Sequence, residues 1–402
     1  MRNKRFAVLV LVVVLALALS ATFVGAQDAK VIKIASQTPL SGPQSALGSS
    51  MSNGVALAVE QLSGPLTELG YKVEYVPFDD QATPDVGVAN AQNLVNDPAI
   101  LAVVGHLNSG VAIPSSEVYN ANNLVMISPA NTNPRVTGRG FTTVNRVCGR
   151  DDLQGPTGAR FVNELGAKSV YVLHDTTSYG QGVAEFFQKE AENLGITVLG
   201  YEGTTETANF EGVIQPILAL APEAIYFGGI YSQTGIFINQ ARAAGYTGYF
   251  VGPDGFDSSE FAQLAGEAGV NTYYTSVAGP ATIYPDAAKF IEDYKAKFGE
   301  DPQPFAAQSY DSAAIALNAI YTAAVLAGDV PSRAAVASVV RATKGYKGLT
   351  GTVTFDAYGD NEVGLYYVLQ VGSADPAAWG SNTLLKTLEI PSPYKALLDS
   401  GS

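Results

Sequence analysis

Gly105-His106-Leu107-Asn108-Ser109-Gly110 and, one helix further on, Ser128-Pro129-Ala130-Asn131-Thr132 decide the fold. Each stretch ends a short apolar run, Ile100 to Val104 in the first case and Leu124 to Ile127 in the second. Apolar runs of this length, bounded by turn residues, are the pattern of strands buried on both faces in a parallel sheet. Both stretches therefore bring hydroxyls and free backbone N–H groups to the carboxyl edge of one sheet, where open α/β sheets bind small ligands. An anionic group fits against Ser109 and the start of the helix that follows it, because the first N–H groups of a helix lack internal partners.

Working outward, strand-like and helix-like segments alternate from Val31 onward. Strands are expected at Val31–Ala35, Tyr71–Phe78, Ile100–Val104 and Leu124–Ile127, with helices at Gly48–Leu62, Pro84–Asn96 and Ser109–Asn122 between them. A second series follows Cys148. Its helices are expected at Leu153–Leu165, Gln181–Asn193, Glu211–Leu220 and Thr234–Ala244, and its strands at Ser169–Leu173, Ile196–Tyr201, Ala224–Phe227 and Tyr249–Val251. Such alternation predicts right-handed βαβ units around parallel sheets. The run Asn271–Val277 has no evident partner and reads as a crossing between the two series. Helices at Asp286–Phe298, Ala306–Ala327 and Ser332–Thr343 and strands at Thr352–Phe355 and Val363–Val371 complete the chain. The two series echo one another. Gly228-Gly229-Ile230-Tyr231-Ser232 stands where Gly105-His106-Leu107-Asn108-Ser109 stands in the first, and Gly252-Pro253-Asp254 where Ser128-Pro129-Ala130 stands.

Composition narrows the function classes. The chain of 402 residues carries 23 Lys and Arg against 37 Asp and Glu, a formal net charge of −14. That balance leaves no electrostatic footprint for nucleic acid or an anionic membrane. Residues 1–26 read as an export signal: Arg2, Lys4 and Arg5, then the apolar run Phe6–Leu19, then Val24-Gly25-Ala26 as a small-residue cleavage site. The mature chain is expected to be soluble and extracytoplasmic. Cys148 is the single cysteine, so no internal disulfide forms, and its apolar setting reads as a buried structural thiol. One cysteine and two histidines leave little for a metal site, and no cofactor is expected.

Further motifs converge. Pro39-Leu40-Ser41-Gly42-Pro43, Phe78-Asp79-Asp80, Gly105-His106-Leu107, Ile127-Ser128-Pro129-Ala130, His174-Asp175 with Tyr179-Gly180, Gln240-Ala241-Arg242-Ala243-Ala244-Gly245 and Gly252-Pro253-Asp254-Gly255 occur in this order. Over essentially its whole mature length the chain resembles the periplasmic leucine/isoleucine/valine-binding proteins, the type I solute-binding proteins of branched-chain amino-acid ABC transporters. The resemblance implies two α/β lobes, each a mainly parallel sheet flanked by helices, with a ligand cleft between them. Lobe one is expected over 28–147 plus 278–350 and lobe two over 148–277 plus 351–402. It implies a monomer that delivers an amino acid to an ABC permease and catalyses nothing. It also implies roles. Ser109 meets the ligand carboxylate, Thr132 the head group, the Ala130 carbonyl and Asp254 the ammonium, and Tyr179 reaches across the cleft.

Three departures from the family pattern concern the pocket wall. Leu47 stands where an aromatic residue is frequent, Ile230 precedes Tyr231 where tyrosine commonly follows two glycines, and Asn108 occupies a position that can hold a cysteine. With Leu107 these residues form the expected wall for an aliphatic side chain. Asp254 is shorter than the usual glutamate.

Each site residue also has a plainer reading. Ser109 fits a helix N-cap, Asn131 and Thr132 a turn before Pro134, Asp254 a β-turn, and Tyr179 simple packing beside Gly180. His106 reads as a satisfied structural histidine. On the ligand side, amides, urea and other small carboxylates remain open, because fold does not settle ligand. An exported hydrolase is the competing class, although no Gly-x-Ser-x-Gly elbow, Walker loop or paired-histidine zinc helix is present.

Overall fold

Apolar runs without alternation need cover on both faces, and this chain supplies it twice. The computed structural model describes residues 30–400. The export signal read over 1–26, and the outermost residues of both expected lobes, lie outside that range. The first sheet comprises β1 (Lys30–Thr38), β2 (Tyr71–Asp79), β3 (Ile100–Gly105), β4 (Val125–Ser128) and β5 (Val144–Arg146), in the order β2-β1-β3-β4-β5. All of its neighbouring strands are parallel. Every residue of β3 is buried. On one face, Ile32, Ile34, Leu101 and Val104 pack on Val55, Ala58 and Val59 of the helix Ser45–Leu62 and on Ile315, Ile320, Val336 and Val340. On the other, Ala35, Val103 and Met126 pack on Ala91 and Leu94 of helix Pro84–Asn96 and on Ala112 and Tyr119 of helix Ser109–Ala121. Helices from late in the sequence, Ala306–Ala327 and Arg333–Arg341, thus return to the first sheet.

The second sheet begins with β6 (Ser169–His174), β7 (Thr197–Gly203), β8 (Ala224–Gly228), β9 (Tyr249–Gly252) and β10 (Tyr273–Ser276). A small hairpin of β11 (Tyr346–Gly348) and β12 (Gly351–Val353) intervenes, and β13 (Val363–Gln370) and β14 (Thr383–Pro391) then complete the order β14-β13-β10-β9-β8-β6-β7. The central strands are parallel, while β13 pairs antiparallel with both β10 and β14. Edge-to-face contacts link Phe210, Phe227, Phe237 and Phe250 under this sheet. Each such pair adds roughly 0.5–1.5 kcal/mol beyond its burial.

The structure corrects several expectations. Asn271–Val277 contains a sheet strand, β10, flanked by β9 and β13, and is not an unpaired crossing. Its short alternating pattern concealed two partners, one of which arrives ninety-odd residues later. Strands β5 and β14 were not expected. The former has only three residues, and the latter is an edge strand exposed on one face, so neither carries a strong apolar signal. Helices begin a turn earlier than apolar periodicity indicates, at Ser45, Asp151, Ser178 and Tyr231, because their first turns are polar or carry capping residues. Past residue 351 the chain stays with the first sheet for a time. Val353 and Phe355 are buried in its core, and Arg146 N–H donates to the Gly359 carbonyl at 2.8 Å.

The segments joining the two halves enclose a cavity of about 420 Å³ lined by Val147, Cys148, Gly149, Val277, Tyr284 and Gln308, among others. No expected ligand residue lines it. Cys148 is buried, and burial pushes its thiol far above the usual range, so it is inert at neutral pH.

Candidate functional site

The first half of the site is two loops locked together by one side chain. Asn131 accepts from His106 N–H (2.9 Å) and from the Ser128 hydroxyl (2.8 Å) through Oδ1, and its Nδ2 donates to the Leu107 carbonyl (2.9 Å). Asn131 is thus the latch between the ends of β3 and β4. Its neighbours Ala130 and Thr132 are buried and held in place. His106 is fully buried against Asp80, with Nδ1 3.1 Å from Oδ2, and reads as structural. Ser109 opens the helix Ser109–Ala121 behind Asn108, whose side chain does not cap it. The Asn108 Nδ2 donates instead to Gln44 Oε1 at 2.8 Å. The first N–H groups of this helix therefore keep their anion-binding capacity. The Ser109 hydroxyl is buried, where it accepts from Asn133 N–H at 3.4 Å.

The second half hangs from the second sheet. Asp254 starts a single turn directly after β9, and the Tyr179 hydroxyl donates to its Oδ1 at 2.7 Å. That same hydroxyl accepts from Gly255 N–H at 2.7 Å. A side chain at position 255 would collide with the Gly229 carbonyl, so glycine is required for this approach. Tyr179 was expected to reach across the cleft. Its hydroxyl is instead committed to Asp254 within its own half, where it orients the carboxylate. Burial raises Asp254 to about 6 in spite of the hydrogen bonds it receives.

The two halves touch. Asn133 Nδ2 donates to the Ser178 carbonyl at 2.6 Å, and Leu47, Leu107 and Ala130 share one apolar cluster with Tyr179, Ile230 and Tyr231. Tyr231 lies on the first turn of helix Tyr231–Ala243, and its hydroxyl faces the backbone of Ala46 and Leu47. Asn108 is half-buried on the rim of the same region. The structure therefore brings all ten expected residues to the meeting of the two sheets' carboxyl edges.

Three further residues sit among them. Asp151 N–H donates to the Thr132 carbonyl at 2.9 Å, which draws the first turn of helix Asp151–Glu164 under the Thr132 loop. The Asp151 carboxylate, Gln154 Oε1 and the Tyr226 hydroxyl are buried without a hydrogen-bond partner among the described residues, as is the Thr132 hydroxyl. The Thr132 hydroxyl lies close to Asp151 without closing a bond of ordinary geometry. Leaving such groups unpaired costs about 1–3 kcal/mol each, so their concentration here marks a place where donors and acceptors arrive from outside. Periodicity missed Asp151 because it precedes the apolar stripe of its helix. The acidic first turn of Arg150-Asp151-Asp152 was the available signal.

A family model described as periplasmic binding protein matches residues 31–376. The chain belongs to the periplasmic binding protein family. One relative of this binding protein is the leucine-, isoleucine-, valine-, threonine- and alanine-binding protein of Pseudomonas aeruginosa, 32% identical over 336 residues that cover 83% of this chain and 87% of the relative. Among solved structures, the leucine-binding protein LivK of Thermotoga maritima superposes with a TM-score of 0.80 at 30% identity, covering 90% of this chain and 99% of that one. A solute-binding protein from Rhodopseudomonas palustris in complex with benzoate has a TM-score of 0.79 at 18% identity over 90% of this chain and 98% of that one, a likeness of fold alone.

Two other buried carboxyls of this binding protein lie outside the ligand residues and make its stability depend on pH. Burial raises Asp257 to about 7, although Trp379, Ser276 and Tyr274 donate to it, and raises Asp175 to about 6 against the Thr177 donors. A carboxyl raised in the folded state binds more protons there than in the unfolded chain. Its stabilising effect is therefore complete below the unfolded value near 4 and is lost as pH rises through the folded one. The ligand-free protein is expected to resist urea better near pH 5 than near pH 7.5, by about 1.4 kcal/mol for each pH unit by which a carboxyl's raised value exceeds 5. Asp257→Asn should reduce that dependence and leave the share carried by Asp175 and Asp254. A midpoint that is already flat in the parent protein across this range contradicts the expectation.

Proposed function

We propose that this protein is an extracytoplasmic receptor that captures a free aliphatic amino acid, branched-chain foremost, and hands it to an ABC permease. The observation that carries the reading is the buried Asp254, oriented by Tyr179 and set across the cleft from the open helix start at Ser109 and the unpartnered Thr132 hydroxyl. A zwitterion needs an anion-binding helix end and a buried acceptor a few ångströms apart. Ser109 and the first N–H groups of its helix take the carboxylate in this reading. Asp254, Thr132 and the Ala130 carbonyl take the ammonium. Leu47, Leu107, Ile230 and Tyr231 enclose an aliphatic side chain, with Asn108 at the rim. Family membership and the ligands named for the Pseudomonas and Thermotoga relatives support it.

Closure by rotation of lobe one (28–147 plus 278–350) against lobe two (148–277 plus 351–402) assembles both halves, as in hinge closure around a ligand. The burial of Val353 and Phe355 with the first sheet favours moving the last crossing toward 361–363. The protein acts as a monomer and turns nothing over. A small carboxylate without an ammonium is the second reading, because a protein of the same fold holds benzoate and fold does not settle ligand. It leaves Asp254 buried and uncompensated, which is costly.

Calorimetric titration of the mature protein, unfolded and refolded to remove carried ligand, with leucine, isoleucine, valine, alanine, their amides and benzoate tests the choice. Saturable binding of free amino acids alone supports the zwitterion site, whereas binding of benzoate or amides alone overturns it. Ser109→Ala is expected to weaken amino-acid binding by only about 0.5–1.5 kcal/mol, because the backbone N–H groups remain. A loss far above that range would shift the carboxylate's main partner from backbone to hydroxyl.

A further inference from the structure

Glycine is a poor helix former, because it loses the most backbone freedom on folding and brings no side chain to pack. Helix Ser178–Asn193 nevertheless carries two, Gly180 and Gly182. Gly180 is explained within its own half, where a Cβ would collide with the Asp175 carboxylate and the Gly228 carbonyl. Gly182 has no such neighbour. Among the described residues a Cβ at 182 would meet only the Asn133 side chain, with Nδ2 at 2.8 Å, and Asn133 belongs to the Thr132 loop of the other half. That amide is not free to step aside. Asn133 is buried, its Oδ1 accepts from Arg135 N–H (2.9 Å), and its carbonyl accepts from Arg146 Nη1 (3.0 Å). Its Nδ2 donates to the Ser178 carbonyl (2.6 Å), so the side chain is held by its own loop at one end and by the facing helix at the other.

The two residues joined, Asn133 and Ser178, are the chain neighbours of Thr132 and Tyr179. Tyr179 in turn orients Asp254. One hydrogen bond therefore sets the spacing between the Thr132 loop and the Tyr179–Asp254 pair. We propose that Gly182 and Asn133 form the closure seam of this receptor: the glycine leaves the space that the Asn133 amide enters as the lobes close, and the bond to Ser178 then holds them shut. The inference rests on the receptor reading above and deepens it by naming the contact that limits closure. With the lobes apart, nothing else stands within 4 Å of a methyl at 182, so the glycine serves closure at the expense of its own helix.

The test compares wild-type protein with Gly182→Ala, Asn133→Ala and the double variant, by calorimetry with leucine and by urea unfolding without ligand. Gly212→Ala is the control, since Gly212 lies in helix Glu211–Ala219 with nothing within 4 Å of an added Cβ. Gly182→Ala is expected to hold or raise the urea midpoint, yet to weaken leucine binding by about threefold to tenfold. Gly212→Ala should leave the affinity unchanged. Asn133→Ala should weaken binding as well, and adding Gly182→Ala to it should cost nothing further, because the obstructing amide is gone. A Gly182→Ala protein that binds leucine within about 1.5-fold of wild type overturns the proposal. So does a penalty that persists in full without the Asn133 amide. Should the Asn133 variants fail to fold, Gly182→Ala decides alone: undiminished stability with weaker binding supports the seam, and a fall in both is a defect of the helix that overturns it. Wild-type protein that takes benzoate and no amino acid overturns the ligand reading, and the same comparison with benzoate then decides the seam. Wild-type protein that binds neither overturns both.

Discussion

Asp254→Ala is expected to weaken amino-acid binding by about 3–5 kcal/mol, a hundred- to several-thousand-fold, because it strands a desolvated ammonium opposite an apolar methyl. The carboxylate is held ready by the Tyr179 hydroxyl, and Gly255 N–H fixes that hydroxyl from the other side. The carboxylate is thus oriented from within its own half. Folding should not suffer. Burial raises Asp254 in the folded protein, so its removal relieves a cost at neutral pH, and the ligand-free urea midpoint should hold or rise. Titration with leucine and isoleucine checks the first expectation and urea unfolding the second. Leucine affinity within about threefold of wild type would remove Asp254 from the site.

Asp360→Ala acts on the scaffold. Asp360 accepts from Arg146 Nε (2.6 Å), from Arg150 Nη1 (2.5 Å) and from the Thr137 hydroxyl (2.7 Å), all with little or no exposure to water. Arg146 ends β5 and Arg150 immediately precedes helix Asp151–Glu164, so one carboxylate ties together both sides of the segment 147–149. Removing it leaves a fully buried guanidinium without its counter-charge, and a loss of about 3–5 kcal/mol in stability is expected. Trp379, the single tryptophan, offers a fluorescence signal for the urea titration. Binding should weaken as well, since Arg146 holds the carbonyls on either side of Thr132. The pH sign runs opposite to that of Asp257. Burial alone would raise Asp360, but Arg146 and Arg150 outweigh it and hold the carboxyl below its ordinary value. Its contribution is present above the unfolded value near 4 and is lost in stronger acid, as pH falls through the folded value. A variant that unfolds within about 1 kcal/mol of wild type would show the cluster to be expendable.

The legible parts of this chain were local. Ile100–Val104 and Tyr249–Val251 announced buried strands by composition, and the residues after each run had to fall at a sheet edge. Ser109 could be placed on a helix start because a glycine and a polar turn separate it from its strand. Tyr179 was found, but its partner was not. The hydroxyl's choice of Asp254 spans 75 residues and depends on Gly255 lying close enough to donate. Asp151 escaped because a polar first turn adds nothing to an apolar stripe, and β14 escaped because an edge strand needs only one covered face.

By itself the sequence determined the alternation of strand and helix, the parallel sheets and the set of loops at their carboxyl ends. Those features follow from periodicity and turn chemistry within some twenty residues. Only the tertiary structure decided which polar groups are left without partners. Asp151, Asp254 and Asp360 are all aspartates in short polar stretches, yet one is buried without a hydrogen-bond partner among the described residues, one is steered by a tyrosine and one is clamped by two arginines. Charge state and hydrogen-bond deficit are sums over every group that packs around a side chain. Those groups come from distant parts of the chain, so no local pattern contains them.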